Sequence, residues 1–260
     1  MWLTLAILFF ATILAGLLQP WISKKYKPDF RAILNFAGGY LFALTLVHQI
    51  PELFHSDHIH ADSMHEKSIL GLIILCGFFF QVVLEKLSGG IEHGHFHAHN
   101  DHQHGNLSPL VLLIGLGTHS LLEGAMLGHG ALNGHELIHG HFHGNNLLLG
   151  ILLHKVPAAF ALTAMLNHGK TMQKNTLFTL AIFALASPLG VLITHWIGDS
   201  SWIDHTQLEW ISALVTGSFL HISCTIFFEN SGKEHRSWKG FGAMGLGTLV
   251  AIATEFIHFH

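Results

Sequence analysis

Eight stretches of about 20 mostly apolar residues alternate with shorter polar segments along this 260-residue chain. They run Trp2–Ile22, Ala32–Phe54, Ser68–Leu87, Ser108–Ala131, Asn146–Asn167, Thr176–Ile197, Gln207–Phe228 and Gly240–Phe259. A helix of that length spans the hydrocarbon core of a bilayer. The pattern therefore predicts an all-α integral membrane protein of eight transmembrane helices in a single domain, residues 1–260. The first stretch has no basic residue before Lys24, unlike a secretory signal, and is expected to be a retained first helix. The last stretch is rich in glycine, and its run Gly242–Gly247 predicts a face that meets a neighbouring helix closely.

Ionisable residues interrupt the apolar pattern at a helical spacing. His119 and Glu123 lie four apart in the fourth stretch, so a helix stacks them on one face. An ionisable pair at membrane depth is costly to bury and marks a functional site by default. His154 and Lys155 occupy the fifth stretch, followed by Pro157, which removes a backbone donor and frees the Leu153 carbonyl. His119, Glu123 and His154 offer two imidazole nitrogens and a carboxylate, a ligand set that suits zinc or a similar divalent ion and leaves a position open. Ser120 can add a hydroxyl or a supporting hydrogen bond, and Lys155 is too central to snorkel to the membrane surface. The second stretch repeats the spacing with His48 and Glu52 around Pro51, and the seventh with His221, Thr225 and Glu229. These line a path or make hydrogen bonds between helices. Ser187-Pro188 predicts a kink in the sixth stretch, and Glu85 is expected to end the third at the membrane interface.

Composition narrows the class. Half of the residues are hydrophobic and 11% are charged, against about 25% charged in soluble domains, which leaves little room for a soluble domain. The net charge of −4 and the lack of a basic face argue against a nucleic-acid partner. Cys76 and Cys224 lie in apolar runs and form no metal or disulfide motif. Ten of the twelve basic residues fall on one side of an eight-span layout: Lys24, Lys25, Lys27, Arg31, Lys86, Lys170, Lys174, Lys233, Arg236 and Lys239. The positive-inside rule then places both termini outside. The 25 histidines cluster in loops: residues 92–104 on the cytoplasmic side, residues 129–143 outside, and a third external group between His55 and Glu66. Such tracts read as loose, exchangeable metal binding.

Four motifs in order resemble the ZIP (Zrt/Irt-like protein) family of divalent metal transporters. Phe36-Ala-Gly-Gly-Tyr through His48-Gln-Ile-Pro51-Glu52 resembles its second helix, and His119-Ser-x-x-Glu123-Gly124 its fourth. His154-Lys-Val-Pro157-Ala-Ala-Phe160 resembles the fifth helix of one branch, and Gly217-Ser-Phe-Leu-His-Ile the seventh. The resemblance implies a ZIP-like bundle with a mid-membrane metal site whose ligands are His119, Glu123 and His154, with Ser120 beside them. Many members hold two adjacent metals and have carboxylates where this chain has Lys155 and Ala158. The departure suggests one metal position, with the lysine ammonium in place of a second cation.

These readings converge on zinc uptake toward the cytoplasm by a multi-pass protein of the plasma membrane, the inner one in a bacterium. Its partners are a divalent ion as substrate, with Zn2+ first among several transition metals, and the lipid bilayer. No cofactor is expected, and a homodimer stays open. His48, Glu52, Lys155 and His221 are secondary candidates along the path. No phosphate-binding loop is present, so transport must be gradient-driven or ion-coupled. Protonated imidazole cannot bind metal, so uptake should weaken as pH falls through about 6.5. The main alternative is a membrane-embedded zinc-dependent hydrolase using Ser120. Haem ligation by His48 and His221, and metal export, are further rivals.

Overall fold

The computed structural model describes residues 1–26, 31–55, 64–88, 109–132, 143–167, 174–198, 205–229 and 238–256. Each segment is a long helix, and each coincides with one of the apolar stretches. α1 is Trp2–Tyr26. α2 starts as Arg31–Leu44, passes through a π-helical turn at Thr45–Gln49 and finishes as Ile50–His55. α3 is Met64–Ser88, α4 Pro109–Leu132, α5 His143–Asn167, α6 Lys174–Gly198, α7 His205–Glu229 and α8 Trp238–Phe256. Five of them, α1, α2, α3, α5 and α6, contain spans long and apolar enough to cross a membrane by length and composition. No strand occurs among the described residues. The expected histidine-rich loop at 92–104 lies outside the described residues, as do 133–142 and 56–63 of the other two.

Polarity is distributed as the bilayer demands. Phe10, Trp21, Phe79, Leu185, Trp196 and Leu249 point outward, while Gln81, His119, Ser120, Glu123, His154, Lys155, Ser187 and Ser218 are buried. A soluble protein could not tolerate this arrangement, but in lipid the polar groups must find each other inside.

Packing sorts the helices into two groups. α1 packs on α5 and α6, and α4 on α6. α2 packs on α8 and α7, and α3 on α7. Three of these crossings have the same construction. In α2/α8, a Cβ on Gly39 would lie 2.2 Å from the Met244 carbonyl oxygen, and one on Gly247 would lie 2.1 Å from that of Phe36. In α3/α7 the corresponding pair is Gly77 against Leu214 O and Gly217 against Ile74 O. In α4/α6 it is Gly124 against Ser187 O and Gly190 against Leu121 O. Each glycine thus abuts the carbonyl three positions before its partner glycine. Only a hydrogen fits there, so the backbones touch directly and gain dispersion contacts that lipid cannot match. Of the glycine run in α8, only Gly247 is used this way; Gly242 and Gly245 meet nothing within 4 Å.

The π-helical turn in α2 has a local cause. Pro51 has no N–H to give to Val47, and the Ile50 amide bonds Thr45 O, five residues back. Thr45 Oγ1 also donates to Leu41 O at 2.7 Å. This turn carries His48 at the point where α2 resumes toward Glu52.

Candidate metal centre

α4 and α5 bring the sequence-predicted ligands together. The i,i+4 spacing places His119 Nε2 2.7 Å from Glu123 Oε1. From α5, His154 Nε2 meets the same Glu123 oxygen. The two imidazole centroids are 5.9 Å apart and tilted, so both rings edge toward one point. His119, Glu123 and His154 are all buried, and their ligand atoms lie within 4.8 Å of one another. Among the described residues this is the one group of three or more histidine, cysteine or acidic side chains able to hold a metal ion.

Both histidines are oriented through their other ring nitrogen. His154 Nδ1 is 2.9 Å from Gly150 O on its own helix. His119 Nδ1 is 3.1 Å from Gln81 Oε1 on α3. Both acceptors are carbonyl oxygens, so each Nδ1 donates, which leaves each Nε2 to give its lone pair to a cation held between the rings and Glu123.

Glu123 divides the site in two. Its Oε1 faces the imidazoles, and its Oε2 faces Lys155 Nζ at 3.6 Å. The lysine is fully enclosed at 1% exposure. It donates to Ser120 Oγ and, at 2.8 Å, to Ser187 Oγ from α6, and its Nζ lies 4.3 Å from the Phe183 ring centroid. A carboxylate, two hydroxyls and an aromatic face together replace the water a buried ammonium would otherwise need. Ser187 Oγ also donates to Ser120 O at 2.7 Å, which the close Gly124/Gly190 crossing makes reachable. Ser120 therefore lies on the ammonium side, with its hydroxyl committed to Lys155.

The remaining predicted residues are elsewhere. His48 Nε2 pairs with Glu52 Oε2 at 3.3 Å, toward the end of α2. His221 Nε2 pairs with Glu85 Oε2 at 2.5 Å, with the Phe78 ring edge-on at 4.8 Å and Thr225 Oγ1 3.4 Å away. Glu85, near the end of α3, is thus tied to α7. Neither pair joins the central group. Sequence reasoning did not assign Gln81, Ser187 or Ser218 to the site. Their only signal was a polar side chain at membrane depth in an otherwise apolar run, which gives a candidate but no partner.

A profile of the family described as "ZIP Zinc transporter" matches residues 1–110 and 91–254, which include every residue of the site. The chain belongs to the ZIP zinc transporter family. Zinc transporter ZIP9 of Micropogonias undulatus is 24% identical over 209 residues, covering 76% of this chain and 63% of that protein. Human zinc transporter ZIP2 is 31% identical over 187 residues, 63% of this chain and 58% of that protein. Zinc transporter ZIP1 of Danio rerio is 25% identical over 240 residues, 77% of this chain and 76% of that protein. The chain thus spans less than two thirds of the length of the first two relatives.

Proposed function

We propose that this ZIP family chain moves zinc across a membrane through one metal position formed by His119, Glu123 and His154. The observation that carries the reading is the convergence of two imidazole Nε2 atoms on one buried carboxylate oxygen, each ring having its Nδ1 on a carbonyl oxygen. Two nitrogens and an oxygen suit zinc, and an open coordination position lets the ion arrive and leave with a water or a passing ligand. Lys155 occupies the other half of Glu123 and supplies a fixed positive charge where a second ion would bind. Two serines and Phe183 hold that ammonium in place, so it is a permanent part of the site.

Orientation follows from the basic residues, and the family resemblance gives the direction of uptake. With Lys24, Arg31, Lys86 and Lys174 at helix ends facing the cytoplasm, both termini lie outside, and His48 and Glu52 stand on the outer approach to the centre. Zinc collected by external histidines passes this pair, binds centrally and is released toward the basic end. A hydrolase would need Ser120 presented to a metal-bound water, yet its hydroxyl faces Lys155 and Ser187.

Zinc flux into proteoliposomes tests the reading. The wild type should accumulate zinc, and His119→Ala and Glu123→Ala should fall to the level of protein-free vesicles. Wild-type flux in both variants would remove the central site from the mechanism.

A further inference from the structure

The two histidines obtain the same ring tautomer by different routes. His154 donates to the Gly150 carbonyl one turn back on its own helix, so its orientation belongs to α5 alone. His119 is held from another helix. Its Nδ1 is 3.1 Å from Gln81 Oε1 on α3, and that oxygen also accepts from Ser218 Oγ of α7 at 2.7 Å. Ser218 Oγ is 3.5 Å from the same Nδ1. All three side chains are buried. Gln81 lies one turn after Gly77, and Ser218 directly follows Gly217, the two glycines that lock α3 against α7. A ligand on one helix group is therefore held by residues of the other.

We propose that Gln81, oriented by Ser218, is a positioning residue for the metal, which fixes the Nδ1–H tautomer of His119 and keeps its Nε2 lone pair on the site. This rests on the His119/Glu123/His154 reading. The physical stake is the proton's alternative place. Glu123 Oε1 is 2.7 Å from His119 Nε2. Without an acceptor at Nδ1, the proton is better placed on Nε2, where the carboxylate accepts it. One tautomer shift then masks two ligands at once. Nothing equivalent threatens His154, because the Gly150 carbonyl cannot be removed by changing a side chain.

Cobalt(II) titration of the purified full-length protein tests this, with the histidines of residues 92–104 and 129–143 replaced by glutamine so that the visible absorption reports the buried site. Removing a group that orients a metal-bound histidine costs about 10- to 100-fold in affinity, and Gln81→Met should weaken cobalt binding by that factor. Gln81→Glu keeps an acceptor oxygen at the same place and should bind cobalt within about threefold of the parent, since an acceptor at Nδ1 is what orients the ligand. Ser218→Ala, which removes the donor that orients the amide, should weaken binding by about 10-fold, the low end of that range, and carries the test if Gln81→Met does not fold, a parent-like affinity then overturning the role. His119→Ala is the separating control and should abolish the cobalt spectrum. If it does not, the site reading itself fails. If His119→Ala abolishes binding while Gln81→Met matches the parent, or Gln81→Glu is as weak as Gln81→Met, the positioning role is overturned and the site stands.

Discussion

His48–Glu52 and His119–Glu123 are the same local device, a histidine and a glutamate one helical turn apart. Their surroundings differ. At the first pair the side chains are 14% and 54% exposed and the contact is 3.3 Å. At the second they are 5% and 1% exposed and the contact is 2.7 Å. The exposed pair has no third ligand beside it among the described residues. The buried pair has His154 on one carboxylate oxygen and Lys155 on the other. Spacing alone therefore makes a pair, and a neighbouring helix makes it a centre. In water-accessible surroundings a carboxylate is satisfied by solvent and holds an ion weakly. In the bundle it must be satisfied by protein or by a cation, and that makes its partners selective.

The comparison breaks most sharply if the same change is made at both pairs. Glu123→Gln removes the charge that both the metal and Lys155 depend on, and zinc flux in proteoliposomes should fall by at least about 100-fold, beyond the range known for supporting groups alone. Glu52→Gln should leave saturated flux unchanged. Equal losses at the two positions would mean that burial does not distinguish them.

The next effect isolates the neighbouring helix. His154→Ala leaves the α4 pair intact but removes its third ligand, and should weaken zinc binding by about 10- to 100-fold in a competition titration. An unchanged affinity would reduce the centre to the His119–Glu123 pair, no different in kind from the pair on α2. The ammonium half gives a qualitative readout. Lys155→Asp replaces the fixed cation with a carboxylate facing Glu123 Oε2, Ser120 and Ser187, and bound metal per chain should rise from one to two once the loop histidines are removed. A count that stays at one would show that Lys155 does not stand for a second ion. The smallest change is expected at the approach, where His48→Ala should raise the half-saturating zinc concentration by roughly threefold, as for the loss of one weak, solvent-competed ligand. A fall in maximal flux instead would make His48 part of the central mechanism.

Much of this was legible in the chain. The eight apolar stretches predicted the eight long helices to within a few residues, because a span of membrane thickness is a property of local composition. His119, Glu123 and His154 stood out because ionisable residues are rare in such runs. Other partners were not legible. The His221 partner of Glu85 was not foreseen, and Ser187 was noted only for its proline neighbour but holds Lys155. Gly242–Gly247 looked like one contact surface, yet only Gly247 meets α2. In each case the missing information was which helix lies opposite, and at what height.

The sequence by itself determined which stretches are helical, which residues are ionisable within apolar runs, and that His119 and Glu123 share a face, since all of these depend on residues within one or two turns of each other. Only the tertiary structure decided that Glu123 is shared between imidazoles and an ammonium, that α6 supplies a serine to Lys155, and that α3 and α7 orient His119 through Gln81 and Ser218. Those contacts join residues more than thirty positions apart. The Gln81–Ser218 contact lies on a glycine crossing, and the others form because buried polar groups, cut off from water, must satisfy one another.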